Sequence, residues 1–318
     1  MKRRKFIVTT ANSIIGMSLF GSHILEGKPS LSKEIGIQLY TVARPLSEDF
    51  LGTIKKLAKY GYKNLEFAGP YFYSTQEEID NNTLIKMMGL TGYGYYKYNP
   101  KEIRQILDDL GLISTSAHVS DQSLKDSMDK AIESALTIGH KFLVSPMFMG
   151  QSIDDYKSAA ELYNVFGEKC KSAGLKYGYH THSHEFGNYD GISPFDVLIK
   201  NTDPGLVVFE LDLFWARVAG IDPVKLIHNN PGRIKLLHIK DMKEKMERTY
   251  TTNETFTNME ISMKVMGNQT AVGEGIIDFK SIISQVKDDI DYMFVESDFP
   301  KEPMELAEKS ISNLKNMI

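Results

Sequence analysis

Three histidines alternate in the decapeptide YGYHTHSHEF, residues 177–186, and a glutamate follows them. His180, His182 and His184 are three of only eight histidines in 318 residues. Side chains two apart on a β-strand share a face, so this spacing can align imidazoles for metal binding or for proton transfer near neutral pH. One strand seldom supplies three ligands to one ion, because the donors must surround it. His180 is therefore expected to bind a metal with partners from other strands. His182 and His184 are left for substrate or proton handling. If the strand persists, His182 and His184 point inward with His180 and Glu185 points away, and the strand is expected to end near His182.

The elements that must position these residues alternate regularly from Ile35 onward. Strand candidates are IGIQLYT (35–41), KNLEFA (63–68), ISTSAHV (113–119), KFLVSP (141–146), LKYGYHTH (175–182), LVVFELD (206–212), IKLLHIKD (234–241) and YMFVESD (292–298). Between them lie amphipathic helical patterns such as SEDFLGTIKKLAKYG, with Ser47 as expected N-cap and Gly61 as C-cap. The endings DDLGL, LTIGH and CKSAGL repeat the order helix, glycine, strand. Eight βα units predict a parallel sheet closed into a single-domain (β/α)₈ TIM barrel over 31–318, with its active site at the strand C-termini. An open doubly wound sheet is the competing fold, but no Gly-rich turn follows the first strand and no P-loop is present. Two long stretches, 69–100 and 242–273, leave strand ends and are expected to overhang the mouth of the barrel. The first is rich in tyrosine.

The polar residues cluster where such a barrel does chemistry. Glu66 and His118 lie near the ends of strands 2 and 3. His180, Asp212, His238 and Glu296 fall at or near the ends of four successive strands, 5 to 8. Mixed nitrogen and oxygen donors from adjacent strands suit one catalytic divalent metal with room for substrate oxygens. Mn²⁺, Zn²⁺, Co²⁺ and Fe²⁺ all accept such a donor set. Lys240 follows His238 by two residues and is a candidate ligand for substrate or intermediate. Trp215, the only tryptophan, is either a stacking wall for a sugar ring or a core anchor. Tyr40 and Glu66 are candidates for substrate hydroxyls.

The stretches IGIQLYTVA, YGYHTHSHEF, ELDLFWARVAGIDP, LLHIKDM, VGEGIIDF and FVESD resemble, in order and spacing, the sugar phosphate isomerase/epimerase group of the xylose-isomerase-like TIM barrels. The resemblance covers roughly residues 35–318. It implies one divalent metal, Mn²⁺ or Zn²⁺, on His180, Asp212, His238 and Glu296, and proton transfer through an enediolate. Epimerases of the group carry glutamates on strands 5 and 8; here His180 stands at the strand-5 position, so one of the two carboxylate bases is missing. Glu296 is then expected as ligand and base. The second acid or base is sought among His182, Glu185, Lys240, His184 and His118. The expected activity is isomerisation or epimerisation of a non-phosphorylated sugar or keto-sugar. Elimination from, or hydration of, a 3-keto-glycoside derivative would use the same chemistry. A non-catalytic sugar-binding protein is a third reading. An endonuclease of the related three-zinc type needs a histidine where Trp215 stands.

The N-terminus adds a location. MKRRKFIVTTANSIIGMSLFGS joins four cations to a mildly apolar run and resembles a twin-arginine export signal, with a boundary near residue 30. The expected site of action is the periplasm, where non-phosphorylated sugars are the commoner substrates. Only Arg233 and Arg248 flank strand 7 and none flanks strand 8, so no arginine cluster is expected to hold a phosphate. The chain carries a formal charge of −4, and loss of the four signal cations leaves −8, a poor balance for nucleic acid. No later run is long and apolar enough to span a bilayer. The partner expected is a small sugar, with no nucleic acid and no membrane after signal removal; a homo-oligomer is left open. Cys170, the sole cysteine, is expected to be an inert thiol in a helix.

Overall fold

Each of the eight strand candidates forms a strand, and each strand is shorter than the run that announced it. The computed structural model describes residues 34–318 except Asp190, so the expected export segment lies outside the described residues. The strands are β1 (Gly36–Gln38), β2 (Asn64–Ala68), β3 (Ile113–His118), β4 (Phe142–Ser145), β5 (Lys176–His180), β6 (Val207–Asp212), β7 (Ile234–Ile239) and β8 (Tyr292–Val295). Neighbours pair in parallel all the way round, β1 closing on β8, which makes the (β/α)₈ TIM barrel. A two-residue antiparallel ribbon, Asp241–Met242 with Gln269–Thr270, sits above β7. Because helices cover the outside and side chains fill the inside, the strands are buried on both faces; VVFELD is buried throughout.

Strand alternation builds the interior in layers. Phe142, Val144, Val208, Leu236, Tyr292 and Phe294 form an apolar layer. Two strands cross this layer without a side chain. A Cβ on Gly36 would lie 2.3 Å from the Phe294 ring, and one on Gly178 would lie 3.2 Å from Val144. The next inward positions, two residues on, are polar: Gln38, Glu66, His118, His180, Glu210 and His238. The register places His180 opposite Glu210 and Asp212 opposite His238. The sequence of strand ends thus becomes a ring of facing side chains.

The helix after β1 spans Phe50–Tyr60, but its N-cap is Asp49, whose carboxylate accepts from Gly52 N at 2.9 Å. Ser47 belongs to a preceding short helix, Ala43–Glu48, and its hydroxyl accepts from Thr91 N. Gly61, Gly111, Gly139 and Gly174 all take positive φ where helices give way to strands, a conformation that glycine adopts without strain. The two long loops fold into short helices, Gln76–Asn81 and Thr83–Met88 in one, Glu254–Thr257 and Met259–Met266 in the other. Both lie over the strand C-termini. Cys170 is buried, and burial pushes its thiol up to about 12, which leaves it unreactive. Among the described residues no helix is long and apolar enough to cross a membrane.

Candidate metal centre and active site

Two side-chain layers meet at the C-terminal end of the barrel. In the lower layer Glu210 Oε2 lies 2.7 Å from His118 Nε2, 3.1 Å from His180 Nδ1 and 3.2 Å from His238 Nε2. Glu66 Oε2 lies 2.6 Å from His238 Nε2 and accepts from Gln38 Nε2 at 3.0 Å. In the upper layer Lys240 Nζ is 3.0 Å from Asp212 Oδ2, 2.9 Å from Glu296 Oε2 and 2.9 Å from Asp298 Oδ2. His238 joins the layers, its Nδ1 being 2.7 Å from Glu296 Oε2. All these groups except Asp298 are buried.

Charge states follow from this crowding. Burial opposes protonation of His238, yet Glu210, Glu296 and Glu66 outweigh it and hold its pKa well above the ordinary value. Burial and the neighbouring His238 lower His180 to about 3. Burial raises Asp212 to about 6 in spite of Lys240. For Glu296, burial is more than offset by Lys240 and His238, so the carboxylate stays ionised. Asp212, Glu296 and Asp298 face a single lysine, with Glu66 and Glu210 against His238 in the layer below. That excess suits a divalent cation.

One donor atom from each of His180, Asp212, His238 and Glu296 can be chosen so that all lie within 4.8 Å of one another. The residues fit a metal in further respects. Asp212 spends Oδ1 on Trp215 N at 2.9 Å, which caps the helix Leu213–Val218, and turns its buried Oδ2 into the site, 3.0 Å from Lys240 Nζ. His180 turns Nδ1 to Glu210, which leaves its other ring nitrogen free to ligate, and His238 turns Nε2 to Glu66 and Nδ1 to Glu296, its neighbour in the donor set. A second set, His118, His180, Glu210 and His238, is equally compact. Its nitrogens on His118 and His180 are already engaged by Glu210, so it serves as support for the upper set. His180 and Glu296 also line the main cavity, of about 570 Å³, which gives the upper set access to a substrate.

The other expected residues separate into two groups. Tyr40, His118, His182 and Trp215 line the cavity. His182 follows the last residue of β5 by two, its ring 4.7 Å from that of His180, and its buried Nδ1 has no hydrogen-bond partner. Burial, then His180, His184 and Lys240, hold its pKa well below the ordinary value, so it is a neutral imidazole. Trp215 is both wall and anchor: it borders the cavity while only 1% exposed, and its ring packs on His182 and Phe256.

His184 and Glu185 are not at the cavity, contrary to their expected roles in substrate binding and proton transfer. β5 ends at His180 and the chain turns through a 3₁₀ segment, His184–Phe186, which carries both side chains into the interior. Glu185 accepts from Tyr179 OH at 2.6 Å and from His182 N at 2.9 Å, so it fixes the turn that presents His182. His184 Nε2 lies 2.8 Å from Phe148 O. Glu66 lies beneath His238 rather than at the substrate. Lys240 pairs with three carboxylates in the floor, and burial of its ammonium is outweighed by Asp212, Asp298 and Glu296, which raise its pKa.

Glu210 and Asp298 escaped the sequence reading. The signal was present in the repeated spacing of two: Glu210 with Asp212, His238 with Lys240, Glu296 with Asp298, and His180 with His182. The pairs Glu210 with Asp212 and His238 with Lys240 put one polar group in each layer, whereas Glu296 and Asp298 both meet Lys240 in the upper one.

Fold and site together define a (β/α)₈ barrel with a buried group of side chains at its C-terminal face that could hold a divalent metal. The chain belongs to the xylose isomerase-like TIM barrel family, whose model matches residues 54–317. Inosose dehydratase of Salmonella typhimurium strain LT2 is 28% identical over 174 residues, covering 52% of this chain and 56% of that protein. Inosose dehydratase of Geobacillus kaustophilus is 29% identical over 117 residues, or 37% of this chain and 36% of the relative. The chain spans about half the length of the curated relatives it matches. Among solved structures, a sugar phosphate isomerase/epimerase from Parabacteroides distasonis is 27% identical with a TM-score of 0.68, covering 89% of this chain and 94% of that one. The zinc-bound IOLI protein shares the fold, with 15% identity, a TM-score of 0.59, and coverage of 89% and 96%.

Proposed function

We propose that this chain is a divalent-metal-dependent lyase that abstracts the proton next to the ketone of a non-phosphorylated keto-sugar or keto-cyclitol and eliminates the β-oxygen substituent. The observation that carries this reading is His182, a neutral cavity-facing imidazole with a free Nδ1, in a site whose β5 ligand position holds His180 instead of a carboxylate. Epimerisation through two opposed carboxylates needs a base that is missing here. Elimination needs one group that takes a proton and gives it back. The inosose dehydratase relatives, named for loss of water from a keto-cyclitol, support the same class.

A divalent ion on His180, Asp212, His238 and Glu296 would polarise the ketone and so acidify the adjacent C–H. The His182 imidazole takes that proton, and Glu296, ionised nearby, steadies the imidazolium. Burial makes this imidazolium a strong acid, and it returns the proton to the departing oxygen as the C–O bond breaks. Lys240 favours the ionised forms of Asp212 and Glu296, and Glu185 fixes the backbone of His182. Among the described residues no arginine or lysine lines the cavity, which favours an uncharged substrate. Residues 1–30 are proposed to direct export to the periplasm; Arg3→Lys with Arg4→Lys should retain the protein in the cytoplasm, and unchanged export would refute the twin-arginine route.

The test is proton NMR in D₂O with a panel of keto-sugars, keto-glycosides and keto-cyclitols and with Mn²⁺ or Zn²⁺ supplied. Loss of the α-proton signal together with a new enone is expected, and His182→Gln should abolish both. Deuterium incorporation with inversion and no enone would establish epimerisation instead.

A further inference from the structure

The polar floor occupies one end of the cavity, and much of the outer wall has the opposite character. Ile85 and Leu90 from the β2 loop, Met147 and Met149 after β4, and Met259 and Met266 from the β7 loop line it there. Such side chains offer dispersion contacts and next to nothing for a hydroxyl to bond. Four of the polar side chains at this end, Ser74, Glu78, Ser120 and Ser123, are spent on one another. Ser120 donates to Glu78, Ser123 donates to Glu78 at 2.8 Å, and Ser74 Oγ lies 2.6 Å from Ser123 Oγ. A polyol held against this wall would bury hydroxyls without partners, at a cost. A molecule with a polyol at one end and a hydrocarbon at the other matches both ends of the cavity.

We infer that the substrate is a keto-glycoside with an uncharged aromatic aglycone, its sugar ring on the metal floor and its aglycone between the methionines of the outer wall. The inference rests on the elimination reading above and identifies the bond that breaks as the glycosidic one. His182 takes the α-proton, the C–H electron pair becomes the new C=C bond, and the C–O pair leaves on the aglycone oxygen. That oxygen receives the proton back from His182. No oxidant, reductant or water is consumed. Thioether–aromatic contacts and the neighbouring Phe256 suit a flat ring.

The test compares the 3-keto-glucosides of 2-phenylethanol and ethanol, whose alcohols leave with similar ease, so that a rate difference reports the wall. With metal supplied, kcat/KM should favour the phenylethyl compound by about tenfold or more. Leu90→Ser combined with Met259→Ser should lower kcat/KM for the phenylethyl compound and bring the two toward parity. Equal kcat/KM in the unaltered protein overturns the aglycone site and leaves the elimination reading standing. Calorimetric binding of the unoxidised phenylethyl and ethyl glucosides separates the remaining case. A phenylethyl preference that the double variant removes upholds the aglycone site even if neither keto-glucoside reacts, in which event the elimination reading alone fails. No preference in binding or turnover overturns the site.

Discussion

The floor and the mouth of this cavity are held by different physics. In the floor, each imidazole and carboxylate is fixed by another charged or polar group at 2.6–3.2 Å, within a barrel that excludes water. Removing one member leaves an unpaired buried charge, so the layer behaves as a unit. The mouth is assembled from two loops that fold into short capped helices and contribute mainly apolar contacts. Its residues act nearly independently, and their loss is local. A rigid charged base beneath an adaptable apolar rim allows one chemistry to be kept while the recognised group changes.

The sharpest break of this contrast is expected at Glu296. Glu296→Gln should lower α-proton exchange by about a thousandfold or more, because ligand and electrostatic partner go together; a loss under tenfold, measured by NMR in D₂O, would remove it from the centre. A smaller effect is expected where the mouth rests on the barrel. His140 packs against Tyr95 of the β2 loop, and burial lowers its pKa to about 4. The unfolded chain therefore binds more protons than the native one between about 6.5 and 4. This contribution is complete above about pH 6.5 and is lost as the pH falls toward 4, up to about 3 kcal/mol. Thermal melts from pH 7 to pH 4 should show a shallower acid decline for His140→Phe, and equal slopes would refute the assignment.

Next comes Glu210, which touches no cavity yet orients His180. Glu210→Gln should weaken metal binding by about ten- to a hundredfold, read by chelator competition, with the stoichiometry unchanged. An unaltered affinity would show that the lower layer is only packing. The smallest effect belongs to Met259 on the rim, 62% exposed. Met259→Ser should change stability by less than about 0.5 kcal/mol in denaturant melts, and a larger loss would mean that the mouth is coupled to the core.

Much of this was legible in the residues. Eight β-rich runs separated by helical patterns predicted a closed parallel barrel, and His180, Asp212, His238 and Glu296 stood within one residue of the ends of four consecutive strands. What escaped detection was anything that depended on depth. Glu210 reads as one more residue of VVFELD until the register sets it against His180. Glu185 reads as an acid beside a histidine until the chain leaves the strand and turns it inward.

The sequence by itself determined the periodicities, and with them the barrel, its active end and the identity of the metal-competent side chains, because alternation and strand termini are local properties. Only the tertiary structure decided which of those side chains meet. Distances between strands 5, 6, 7 and 8 follow from barrel closure and register, not from spacing along the chain. The same closure set Lys240 among three carboxylates, put the His182 ring on the cavity wall, and withdrew His184 and Glu185 into the turn behind it.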